Sequence, residues 1–123
     1  MAVLLAEDDH HIADLMVMMM AERGAHVTHV ENGALALEAL ESNAFDFVLM
    51  DIHMPVMTGY EALAALQKAN NMTPVAIMSA SAVDADRAKA ENLGCYDYLV
   101  KPVDIDDIIE IINQVAIDAT AKG

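Results

Sequence analysis

Tryptophan is absent from this 123-residue sequence, cysteine occurs once, and aromatic residues make up only 4%. With Cys95 alone, no disulfide can form within the chain. That fits a reducing, cytoplasmic setting and assigns Cys95 the role of a small buried apolar residue. With so few aromatics, the core has to be built from Ala, Val, Leu, Ile and Met. Hydrophobic residues reach 56%, enough for one domain without a disulfide or structural metal. The ten Met residues add soft, adaptable packing. Basic residues are scarce as well: six Lys and Arg stand against twenty Asp and Glu, for a net charge of -14. Nucleic acid and anionic membranes would be repelled, so the expected partners are a cation or a protein with a basic patch. No apolar run is long enough to span a membrane. Met1 to Ala6 is apolar but has no basic flank and runs into three acids, so it does not read as a signal peptide. The length suits a single domain over residues 1–123, with no output domain after the last helix.

What is present is an alternation of short apolar runs and helical patterns. Val3 to Ala6, His26 to Val30, Phe47 to Met50, Val75 to Met78 and Tyr98 to Val100 read as strands. Between and after them come helices: one carrying Ile12, Leu15, Met16 and Met19 towards the core, then Ala34 to Leu40, Tyr60 to Lys68, and Asp84 to Leu93 stopped by Gly94. The last helix has Asp104 as N-cap and Ile105, Ile108, Ile109, Ile112 and Ala116 on one face. Five βα units with short connections predict an α/β fold, a parallel sheet with helices on both faces. The first, third and fourth strands are the most apolar and belong in the centre. The second alternates polar with apolar residues, which places it at an edge with the fifth. The result is a flavodoxin-like (βα)5 sheet in the order 2-1-3-4-5.

In such sheets ligands bind beyond the carboxyl ends of the strands, so the residues there carry the chemistry. They are Glu7, Asp8 and Asp9 after the first strand, Asp51 after the third, Ser79 after the fourth, and Lys101 with Pro102 after the fifth. Carboxylates held together repel unless neutralised, and one lysine offsets only part of their charge. An all-oxygen set favours a hard divalent cation, Mg2+ above all, with Mn2+ able to substitute. An Asp beside such a cation and an ammonium group is suited to accepting a phosphoryl group, and a nearby hydroxyl can bond the transferred oxygens. Asp9 by itself also fits a simple N-cap of the first helix.

Four segments, in order and each at a strand end, carry a resemblance: Leu4 to Asp9, Leu49 to Gly59, Met78-Ser79-Ala80, and Tyr98 to Pro102. Over essentially its whole length the chain resembles the receiver domains of bacterial two-component response regulators. The resemblance implies a phosphorylation-activated signalling switch, not a turnover enzyme on an external substrate. Asp51 would be the acceptor. Asp8 would ligate Mg2+ directly, Glu7 mainly through water, and the His53 backbone carbonyl would add a further ligand. Lys101 would pair with Asp51 and then with its phosphoryl group, Ser79 would bond a phosphoryl oxygen, and Tyr98 would change rotamer on activation. Pro102 would follow a cis peptide bond. The implied partners are a histidine kinase or histidine phosphotransfer domain and a downstream protein target, with the chain a monomer or a weak phosphorylation-dependent dimer. The wording around Asp51 also resembles the receivers of hybrid histidine kinases.

Two other classes share parts of this pattern. A flavodoxin needs a hydroxyl- and glycine-rich loop after the first strand, where this chain has three acids. A haloacid-dehalogenase-type phosphatase needs a second acid two residues after its strand-end Asp, where this chain has His53. The histidines do not read as a transition-metal site, because His26 and His29 point to opposite faces of a strand. Two surfaces invite motion or docking: the apolar first helix, where Val17 and Met18 point away from the core, and the Ala-rich fourth helix, which offers the sheet little apolar area.

Overall fold

A computed structural model of the chain describes residues 1–122. The elements alternate as β1 (Ala2–Ala6), α1 (His10–Ala21), β2 (His26–Val30), α2 (Gly33–Ser42), β3 (Phe47–Asp51), α3 (Gly59–Lys68), β4 (Val75–Ser79), α4 (Asp84–Asn92), β5 (Asp97–Val100) and α5 (Ile105–Lys122). The strands form one parallel sheet in the order β2-β1-β3-β4-β5. Every residue of β3 and β4 is buried, whereas β2 and β5 expose part of their length. This is the flavodoxin-like order expected from the hydropathy of the strands. β3 and β4 run one residue further than their apolar stretches and end on Asp51 and Ser79.

The pleat divides the core in two. Leu4, Ala6, Val48, Met50 and Ile77 point to the face covered by α2, α3 and α4. Val3, Leu5, Phe47, Leu49, Ala76 and Met78 point to the face covered by α1 and α5. Two helix faces differ from expectation. In α1 the buried stripe is Ala13, Met16 and Met20, while Ile12 and Leu15 are 41% and 51% exposed and Met19 is half-buried. In α5 it is Ile108, Ile111 and Val115, and Ala116 is exposed. α1 is apolar almost all round, and α5 carries apolar residues at Ile105, Ile108, Ile109, Ile111, Ile112, Val115, Ala116 and Ile117, on more than one face, so spacing alone leaves the phase of each undetermined. In α1 the choice falls on small Ala13, which lets the helix sit close to the sheet. Val17, expected to point outward, is half-buried against the core, and Met18 is exposed as expected.

The helices start where local chemistry satisfies their free N–H groups. Asp9 accepts from the His11 and Ile12 N–H groups at 3.0 and 3.1 Å, so it does cap α1. Asn32 caps α2, and Thr58 with Glu61 forms a capping box on α3. Asp104 accepts from the Asp106 N–H at 2.9 Å, as a cap of α5 does. Gly94, at φ +90°, ends α4. No helix is long and apolar enough to cross a membrane among the described residues.

Candidate functional site

Parallel strands end at one edge of the sheet, and the reactive side chains gather there. Glu7 follows β1 directly, its N–H donating to the Val30 carbonyl at 3.0 Å. Asp51 and Ser79 end β3 and β4. Lys101 follows β5 and is tied to the β4 end by a 2.7 Å bond from its N–H to the Ser79 carbonyl. The Lys101-Pro102 peptide is cis, as expected.

The α3 start holds Asp51 in place from below. The Gly59 N–H donates to the Ile52 carbonyl at 2.8 Å. A Cβ on Gly59 would stand 2.5 Å from the Asp51 carbonyl oxygen and 2.9 Å from the Ile52 Cα. Only glycine allows this approach, because the obstructing atoms are backbone.

Glu7, Asp51 and Ser79 are 1%, 5% and 1% exposed, and Asp8 opens to solvent. One carboxylate oxygen from each of Glu7, Asp8 and Asp51 lies within 4.8 Å of the others. Lys101 Nζ donates to Asp51 Oδ2 at 2.7 Å and stands 3.6 Å from Glu7 Oε2, too far for a hydrogen bond. Glu7 Oε2 is therefore a buried oxygen without a hydrogen-bond partner. Burial first, and then the neighbouring Asp51 carboxylate, push Glu7 up to about 7, against the opposing pull of Lys101. Burial acts to lower the Lys101 pKa, but its hydrogen bond to Asp51 and the charges of Asp51 and Glu7 outweigh that, and it stands above its ordinary value. An orphaned buried carboxylate oxygen in an all-oxygen cluster suits a hard divalent cation, so these three acids could hold one.

The remaining expected residues lie around this centre. His53 is exposed, and its N–H donates to Asp51 Oδ1 at 3.3 Å. Tyr98 is buried on β5, its hydroxyl donating to the Ser81 carbonyl at 2.9 Å. The Ser79 hydroxyl accepts from the Ser81 N–H at 3.1 Å. Ser81 thus meets both, a placement its loop position did not announce. His29 Nε2 donates to the Glu7 carbonyl at 2.7 Å, and His10 lies edge-on to His29 with its Nε2 3.0 Å from Glu31 Oε1. The His29 ring ties β2 to the end of β1, and the His10 ring links the start of α1 to the end of β2. Cys95 is half-buried, and burial pushes its thiol up to about 11, consistent with a packing role.

A parallel five-stranded sheet with acids, a hydroxyl and a lysine at its carboxyl edge defines the class of receiver folds, and comparison with known proteins agrees. Residues 3–113 match the response regulator receiver domain family. The chain is 39% identical to the DNA-binding transcriptional regulator NtrC of Escherichia coli over 113 residues, 91% of this chain and 24% of that one. It is 35% identical to the probable transcriptional regulator ycf29 of Pyropia yezoensis over 113 residues, 90% of this chain and 51% of that one. The chain thus spans about half or less of these relatives. The receiver domain of Francisella response regulator 1452 superposes with a TM-score of 0.93 at 33% identity, covering 96% of this chain and 98% of that one. The chain belongs to the response regulator receiver domain family, the phosphorylation-dependent signalling domains of two-component systems.

Proposed function

We propose that Asp51 accepts a phosphoryl group from a phosphohistidine donor with Mg2+ bound, and that the chain works as a switch rather than as a turnover enzyme. The carrying observation is the buried Asp51 carboxylate, bonded to Lys101 at 2.7 Å, beside a Glu7 oxygen that no hydrogen bond satisfies. Asp8, Asp51, Glu7 through water and the His53 carbonyl are the proposed hold on Mg2+. The cation, when bound, neutralises negative charge on the incoming phosphoryl oxygens.

An Asp51 carboxylate oxygen attacks phosphorus, and the donor's P–N bond breaks. The imidazole leaves with that electron pair. Lys101 keeps its proton and shifts its bond from the carboxylate to a phosphoryl oxygen, so charge is met without proton transfer from the protein. The Ser79 hydroxyl turns to donate to another phosphoryl oxygen, and Tyr98 repacks in response. The donor is a histidine kinase or histidine phosphotransfer domain, received on the apolar stripe that α1 leaves exposed at Ile12, Leu15 and Met18. The output is a contact with a further protein.

The test is mass spectrometry after incubation with an acyl phosphate and Mg2+. The wild-type chain gains one phosphoryl mass, and Asp51→Asn or chelation of Mg2+ abolishes it. Replacing Ile12, Leu15 and Met18 together by Ser leaves that reaction intact but slows transfer from the phosphohistidine donor. No mass gain on the wild type overturns the proposal.

A further inference from the structure

The helix α4 is poorly held by the usual means. Ala90 is its only buried residue, and its N-cap, Val83, has no side chain able to bond the first-turn N–H groups. A helix so placed would fray at its start unless something else fixed it. Ser81 supplies part of that hold. Its hydroxyl donates to Asp86 Oδ2 at 2.5 Å and accepts from the Val83 N–H at 3.2 Å. Asp86 sits in the first turn, and its carbonyl accepts from the Tyr60 hydroxyl at 3.1 Å, which ties the same turn to α3.

The other two polar groups of Ser81 point inward. Its N–H donates to the Ser79 hydroxyl oxygen at 3.1 Å, and its carbonyl accepts from the Tyr98 hydroxyl at 2.9 Å. One residue therefore bonds the strand-end hydroxyl, the buried aromatic and the start of α4 at once. Ser81 and Asp86 are both half-buried, so water competes only partly for their bond. Because the Ser79 oxygen can accept from Ser81 while its proton donates elsewhere, fixing Ser79 on a phosphoryl oxygen would also fix Ser81.

We propose that the Ser81–Asp86 pair is a clasp that carries the state of Ser79 to α4, with both acting as positioning residues for output and neither taking part in phosphoryl transfer. This rests on the phosphoacceptor reading of Asp51. The Ser81 backbone makes the inward bonds and its side chain makes the outward ones, so Ser81→Ala cuts the link to α4 and leaves the site side intact. Asp86→Ala cuts the same link from the other end.

The experiment is hydrogen exchange across residues 84–92, with and without beryllofluoride and Mg2+, alongside acyl-phosphate labelling of Asp51. In the wild type beryllofluoride slows exchange in α4. In Ser81→Ala and Asp86→Ala, α4 exchanges about tenfold faster, as expected for loss of one bond to a charged group, and most of the beryllofluoride effect disappears. Labelling of Asp51 proceeds at the wild-type rate in both. Ser81→Thr, which keeps the hydroxyl, restores the response, and the double Ala variant is no worse than either single one. Undiminished protection by beryllofluoride in both Ala variants overturns the clasp, as does a wild-type α4 that ignores beryllofluoride. Failure to label wild-type Asp51 overturns the phosphoacceptor reading instead.

Discussion

The two sides of the sheet's carboxyl edge are built differently. On the β1–β3 side, Asp51 and Glu7 lie in buried backbone, α3 begins with a capping box, and Gly59 packs against the Asp51 main chain with no space to spare. On the β4–β5 side, α4 buries one alanine and is anchored by polar contacts: Ser81 on Asp86, Tyr60 on the Asp86 carbonyl, Arg87 over the Tyr98 ring at 5.0 Å and Lys89 over the Tyr60 ring at 4.3 Å. Apolar packing fixes one geometry, because a shift opens voids or clashes. Polar and cation–π contacts near solvent can be exchanged for others at small cost. Asp51 therefore sits on the tightly packed side, and the lightly packed helix α4 sits on the side facing Ser79 and Tyr98.

The largest expected effect tests the rigid side. Gly59→Ala forces a Cβ into the Asp51 carbonyl and should destabilise the fold by ~1–3 kcal/mol. Ala88→Gln, on the exposed surface of α4, should change stability by no more than about 0.5 kcal/mol. Denaturant midpoints of the two variants check this, and equal losses would erase the contrast.

Next, native-state hydrogen exchange should find the amides of α4 opening about tenfold or more faster than those of α3, which buries Ala62, Leu63 and Leu66 along with its capping box. Matched protection in the two helices would mean that the polar contacts hold α4 as firmly as packing holds α3.

The smallest effect concerns pH. Glu7 is raised from 4.5 to about 7, so across that window the folded chain keeps a proton that the unfolded chain has released. Its contribution to stability is complete below about 4.5 and is lost as pH rises through about 7. In chelator, the melting temperature of the wild type should fall over this range relative to that of Glu7→Gln, which cannot titrate there. Added Mg2+ should offset the fall, and its apparent affinity should rise with pH up to about 7 because the Glu7 proton must leave. Parallel curves for wild type and Glu7→Gln would place the orphaned oxygen in a less costly setting than its burial implies.

Much of this was legible in the order of residues. The strands declared their place by hydropathy: runs such as Phe47 to Met50 are apolar without break and belong inside a parallel sheet, while His26 to Val30 alternates and belongs at an edge. Once the sheet was known to be parallel, topology required Glu7, Asp8, Asp51, Ser79 and Lys101 to share one edge. The facing of α1 was not legible, since Ile12, Leu15 and Met18 are as apolar as the Ala13, Met16 and Met20 that fill the core. Nor were the bonds of Ser81, which reach Ser79, Tyr98 and Asp86 from the loop after β4.

The sequence by itself determined the element order, the strands that lie in the centre and the set of groups at the carboxyl edge of the sheet. These follow from hydropathy, chain connectivity and the fixed polarity of parallel strands, all of which are local or topological. Only the tertiary structure decided which stripe of α1 is buried, that Glu7 Oε2 is left without a hydrogen bond, and that Ser81 bonds Asp86 at the start of α4. Those outcomes depend on volumes and distances between residues far apart in the chain, and no periodicity encodes them.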